Sequence, residues 1–263
     1  MKQRHMFHLV DRSPWPLVSA FGAFFLTTGL VFFMHRVEVG LFLVFLGLIV
    51  ILGTMYVWWR DVIREAAYQG NHTTAVQFGI SMGFILFVVS EIMLFFAFFW
   101  AVFHSSLSPA IVGGLVWPPF DVATLSAGHM PFLNTVILLT SSVTVTAAHN
   151  SLLKGDVKSF RVELAFTIFL GLLFEALQLM EYAEAPFNIS DGIYGSTFYA
   201  LTGLHGLHVL IGALFLLVAL LRSIKGNLLV DHHLGFEFAV WYWHFVDAVW
   251  IFLFGFIYIW GTW

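Results

Sequence analysis

Hydrophobic and polar positions alternate along this chain in long blocks rather than within short ones. Apolar runs of about twenty residues or more are separated by brief charged connectors, and a helix of about 20 residues covers the roughly 30 Å hydrocarbon core of a bilayer. The pattern predicts seven membrane helices near residues 15–35, 40–60, 73–105, 129–152, 160–183, 192–222 and 234–261. The third, sixth and seventh runs are long enough to tilt or to project past the membrane face. Glu163 and Glu175 interrupt the fifth, which reads as the weakest span. One long connector, about 106–128, carries Gly113-Gly114 and Trp117-Pro118-Pro119, as suits an ordered surface loop. No internal repeat suggests two inverted halves.

Composition agrees with this pattern. The chain is 60% hydrophobic and 10% charged, with 31 Phe and 10 Trp, against about 25% charged residues in soluble domains. A single soluble core cannot bury that much apolar surface, so the expected class is an all-α polytopic membrane protein. There is no cysteine, which excludes disulfides, thiolate metal sites and covalent haem attachment. The net charge of −4 gives no reason to expect a nucleic-acid partner. The first residues, MKQRHMFHLVDRSPWP, lack the apolar core of a secretory signal, and a chain inserted without a cleaved leader is expected.

Charge also orients the spans. Lys2, Arg4, Arg12, Arg60, Arg64, Lys154, Lys158, Arg161, Arg222 and Lys225 all fall on one side of the alternation, and only Arg36 falls opposite. The positive-inside rule then places the N-terminus inside and the C-terminus outside. Glu38, Asp121, Glu181, Glu184 and Asp191 mark the outer connectors.

Four constellations could carry chemistry. Glu91 lies inside the third span on one helical face with Phe84, Phe87, Phe95 and Phe98. An acid among aromatic rings is expected to hold its proton, either as a reactive group or in a hydrogen bond to a neighbouring helix. His205 and His208, three apart among Gly203, Gly206 and Gly212, could ligate a metal or haem or simply bond a facing helix or lipid. In HHLGFEFAVWYWHFVDAVW, Glu237, Trp241 and His244 share a face and His244 can reach Asp247. Glu237, His244 and Asp247 together read as a polar lock between helices, with a second-shell metal arrangement of the His244–Asp247 pair as the rival reading. Finally, Trp58-Trp59-Arg60-Asp61-Val62-Ile63-Arg64-Glu65 and His72 form an interfacial rim. The rim is either an anchor with Arg60/Arg64 and Asp61/Glu65 pairing along the helix end, or a phospholipid headgroup site that Arg222 and Lys225 could complete. Phosphate loops, nucleotide fingerprints, HExxH motifs and nucleophile elbows do not occur in the sequence.

The motifs HLVDRSPWP, YVWWRDVIREA, SEIMLFFAFFWAVFHSSLSP, WPP, NTVILLTSSV, EYAEAPFNISDGIYGSTFYALTGLHGLHVLIG and HHLGFEFAVWYWHFVDAVWIFLF resemble, in order, subunit III of cytochrome c oxidase of the mitochondrial type. The resemblance runs from His8 to about Gly261. It implies two N-terminal helices (1–72) and a five-helix bundle (73–263) separated by a V-shaped cleft that holds phospholipids. It further implies a subunit with no metal or cofactor of its own, packed against subunit I. Haem a and copper are implied in the partner subunits I and II, in the mitochondrial inner membrane or, alternatively, a bacterial plasma membrane. Such a subunit sustains proton uptake and protects the core from turnover-linked inactivation. By motif, Glu91 corresponds to the family's carbodiimide-reactive acid. Trp58, Trp59, Glu65 and His72 would line a lipid site with His208 nearby, and Arg222 and Lys225 would meet acidic headgroups. After Lys225, Gly226 and Asn227 depart from the animal form, and Glu175 has no counterpart in the family pattern. Two rival functions remain at this stage: an independent haem or metal membrane protein, and a proton or solute transporter using Glu91, Glu175 and Asp247.

Overall fold

The structure is a computed structural model that describes residues 5–262 apart from 112, 113, 121, 229 and 231. Lys2, Arg4, Gly113 and Asp121 therefore lie outside the described residues. The described chain folds as α1 (Trp15–Met34), α2 (Val39–Ala67), α3 (Thr74–Leu107), α4 (Met130–Leu153), α5 (Val157–Glu184), α6 (Gly192–Ile224) and α7 (Leu234–Leu253). A wider π-type turn over Phe254–Ile259 and a short 3-10 turn over Trp260–Thr262 extend α7. All seven helices are long and apolar enough to cross a membrane, as expected from the hydrophobic blocks.

Two details differ from the sequence reading. Helix α2 does not stop near residue 60 but continues to Ala67, because Arg60–Ala67 consists mostly of good helix formers whatever its polarity. Over the whole helix α5 stays the least apolar, as read from the sequence, but within its most apolar stretch α4 is the weakest span. Its Thr and Ser hydroxyls bond carbonyls one turn back, Thr135 to Pro131 O at 2.8 Å and Thr140 to Val136 O at 2.7 Å, so they cost little in an apolar setting.

Helix ends follow local chemistry. Gly155 and Gly226 adopt positive φ, 78° and 72°, where a side chain would be strained. Each closes a Schellman end, with Asp156 N–H bonding Ser151 O at 3.0 Å and Asn227 N–H bonding Arg222 O at 2.9 Å. Asp156 then caps α5 through Ser159 N–H at 3.1 Å, which makes the α4–α5 turn only a few residues long. The Ser159 bonds hold the Asp156 carboxyl below its usual range.

The chain divides into two compact units, Met1–Ile80 and Ser81–Trp263, with the division inside α3. In the first, α1 and α2 form a hairpin joined along glycines. Gly22, Gly29, Gly40 and Gly47 are all buried. A Cβ on Gly29 would stand 2.6 Å from Val44 N and one on Gly47 2.5 Å from Leu26 N, and one on Gly40 would meet Phe33 N. The two backbones touch, which is how helices associate where no hydrophobic drive separates protein from lipid.

The core of the second unit is aromatic. Trp243 is fully buried and fills space left by Gly171 and Gly212, where added Cβ atoms would approach its ring to 2.5 and 2.9 Å. Its indole N–H donates to Ser141 Oγ at 3.0 Å. One helical repeat on, Trp250 donates to Thr135 Oγ1 at 2.9 Å and packs edge-on against Phe174. These two tryptophans fasten α7 to α4 while α5 and α6 supply the surrounding walls.

Candidate functional site

In the first unit the end of α2 carries the aromatic and charged residues of the rim. Trp58 and Trp59 are exposed, Trp59 at 60%. Asp61 accepts the Trp15 indole N–H at 2.8 Å and is paired with adjacent Arg60 at 2.9 Å, rather than with Arg64 one turn on. Glu65 lies 3.8 Å from His8, and the His8 and His72 rings meet edge to face with centroids 5.2 Å apart. Burial, followed by the charge of His8, holds the His72 imidazole below its usual value of 6.5. A carboxylate and two imidazoles are thus brought together, with His8 an unforeseen member, while the exposed indoles of Trp58 and Trp59 lie earlier on the same helix as Glu65. The carboxylate suits an ammonium group, whereas the ring N–H donors suit phosphate oxygens.

In the second unit Glu91 has a partner. Its Oε2 lies 2.8 Å from His208 Nε2, and His208 Nδ1 lies 2.7 Å from Leu204 O. A carbonyl only accepts, so Nδ1 carries a proton and donates it. The short Glu91–His208 contact then holds one further proton between its two atoms. Phe95 packs edge-on against His208, Phe84 stacks on Phe238 at 4.5 Å, and Phe87 stacks on Tyr242. The aromatic face read along α3 is therefore the face that meets α6 and α7.

The remaining histidines are engaged separately. His205 is buried between Phe174 and Trp250, with Nε2 3.2 Å from Val246 O. Although three apart, His205 and His208 point into different packing environments. On α7, His244 Nδ1 bonds Ser142 Oγ at 2.8 Å and lies 3.7 Å from the Asp247 carboxylate, with Thr146 Oγ1 3.4 Å from Nε2. Glu237 is not with them; it pairs with His233 at 3.1 Å. The trio read along α7 thus divides into a His244–Ser142 tie to α4 and a separate group at the start of α7.

A family model for cytochrome c oxidase subunit III matches residues 5–262 of the chain. The chain is 55% identical over 259 residues to cytochrome c oxidase subunit 3 of Prototheca wickerhamii, covering 98% of this chain and 99% of the relative. It is likewise 55% identical to the Arabidopsis thaliana subunit 3, covering 98% of each, and 54% identical over 260 residues to that of Cyprinus carpio, covering 99% of each. The chain belongs to the cytochrome c oxidase subunit III family.

Membership in that family makes it a membrane-embedded subunit of the terminal respiratory oxidase. Against that background the other residues can be placed. Arg222 ends α6, with its NH2 group 3.4 Å from Asn227 O and its Nε buried without a partner among the described residues. Lys225 is the exposed C-cap of the same helix, where cations complement the helix dipole. Glu175, half-buried, lies against Gly206, whose missing side chain leaves room for the carboxyl; nothing in the structure assigns it a role. Sequence reasoning missed Arg161, which binds Ser223 through Oγ at 3.1 Å and the carbonyl at 2.5 Å and so ties α5 to α6. It also missed the α1–α2 glycine seam, although the seven-residue spacing of Gly22/Gly29 and Gly40/Gly47 was a readable signal.

Proposed function

We propose that this chain serves cytochrome c oxidase, the complex that reduces O2 to water and pumps protons, as a subunit without a redox centre of its own. It holds structural phospholipids, stabilises subunit I and supports proton uptake. Haem a and copper belong to subunits I and II, its partners together with further accessory subunits. The functional division runs between the two N-terminal helices (1–72) and the five helices that follow (73–263). The relatives support a mitochondrial inner-membrane protein, and the Lys and Arg distribution supports an N-terminus on the matrix side.

The observation that carries this reading is the family match over residues 5–262. The histidines support it, because His205 and His208 use ring nitrogens on Val246 O, Leu204 O and Glu91 instead of converging on a common centre. Lipid contacts lie on each unit: Trp58, Trp59, Glu65 and His72 on the first, and Glu91, His208, Arg222 and Lys225 on the second. Glu237, His244 and Asp247 serve structure.

Changing Trp58 and Trp59 to Ala in the purified complex tests the lipid role. Retained phospholipid and the number of turnovers before inactivation should both fall, with the initial rate nearly unchanged. Phospholipid content equal to wild type would refute the site.

A further inference from the structure

His149, His233 and Glu237 converge at one end of the second unit. His149 sits just before the last turn of α4, His233 is the residue immediately before α7, and Glu237 lies in the first turn of α7. One ligand atom from each can be chosen so that all three lie within 4.8 Å of one another. His233 Nε2 and Glu237 Oε1 are 3.1 Å apart, and the His149 and His233 rings meet edge to face with centroids at 5.9 Å. All three side chains are partly buried. The second nitrogen of His233, Nδ1, is buried and has no hydrogen-bond partner among the described residues, so this imidazole is only half used by the protein.

We propose that His149, His233 and Glu237 form a binding site for a single Zn2+ ion or a similar borderline divalent cation. Two imidazoles and one carboxylate are a donor set that Zn2+ accepts, and they suit Ca2+ and Mg2+ poorly. Zn–ligand bonds of roughly 2.0–2.1 Å in a tetrahedron put neighbouring ligand atoms about 3.3 Å apart. The His233–Glu237 pair already has about that separation. A His149 ring nitrogen starts within 4.8 Å of a ligand atom on each of the others, so a change of side-chain rotamer closes the set. Water takes the fourth position. The bound ion ties the end of α4 to the start of α7 and holds the connection that leads out of α6. The Arg222 guanidinium neighbours this cluster, its NH1 lying 3.4 Å from where a Cβ on Gly235 would stand, and the site is independent of where the oxidase keeps its redox metals.

Peptide-level diethylpyrocarbonate labelling of the intact purified oxidase tests this, after chelation and then with added Zn2+ or Mg2+. Zn2+ should protect His149 and His233 several-fold, and Mg2+ should not. The peptide readout separates this group from His8 and His72, which with Glu65 form another three-ligand cluster. In a complex carrying Glu237→Gln, the same Zn2+ concentration should no longer protect His149, and bound zinc should fall by one equivalent. Equal labelling of His149 and His233 with and without Zn2+ in the native complex would overturn the proposal, whether or not the variant assembles.

Discussion

Replacing Glu91 separates the possible arrangements of its hydrogen bond with His208. Because His208 donates Nδ1–H to Leu204 O, its Nε2 has Glu91 as its partner, and the His208 side chain is only 6% exposed. Glu91→Leu leaves Nε2 buried and unpaired, at a cost of about 1–3 kcal/mol. Glu91→Gln keeps a group of nearly the same shape whose amide N–H can donate to Nε2, so its cost should stay under about 1 kcal/mol. Membrane complexes unfold irreversibly, so the useful assay is the rate at which this chain leaves the detergent-solubilised oxidase at raised temperature. If the cost falls on the bound state, Glu91→Leu should speed release by roughly 5- to 150-fold and Glu91→Gln by no more than about fivefold. Adding His208→Leu to Glu91→Leu should recover part of the loss, since the unpaired nitrogen is gone. A Gln variant released as fast as the Leu variant would refute the argument. It would mean that the contact is an ion pair whose loss strands a buried imidazolium.

Further predictions concern the first unit. Gly40→Val drives a branched side chain into the Phe33 backbone and should destabilise the α1–α2 hairpin by about 3 kcal/mol or more. Gly53→Ala, with nothing within 4 Å of the added Cβ, should be close to neutral; thermal release of the chain from the complex measures both, and equal effects would discredit the seam. For His72 the folded imidazole titrates below its usual 6.5. Its stabilising contribution is therefore complete above about pH 6.5 and is lost as pH falls through the lower folded value. His72→Gln should flatten the pH dependence of stability in that acidic range, as thermal release at stepped pH would show; an unchanged profile would exclude His72 as its source.

What the sequence revealed and what it concealed have physical reasons. Seven helices were readable because a bilayer demands a continuous apolar run, which is a local property. The end of α2 was not, since Arg60 lowers hydropathy without ending a helix. Residues Thr135, Thr140, Ser141 and Thr146 look polar, but their hydroxyls are spent on carbonyls of their own helix. The acidic and aromatic face of α3 was visible from helical spacing, whereas its partner His208 stands 117 positions away and no local pattern points to it. Glu237 and His244 share a face along α7, yet Glu237 finds its partner one turn earlier, in His233 at the mouth of the helix. Periodicity identifies faces; it does not identify which of two neighbours reaches a group first.

The central claim is that this subunit supports the oxidase without carrying its redox chemistry. The most direct measurement is selective removal of this chain from the purified complex, followed by haem content, initial electron-transfer rate and number of turnovers before inactivation. Full haem content, a near-normal initial rate, less bound phospholipid and a shortened active lifetime are predicted. A loss of haem in proportion to the chain removed would contradict the account.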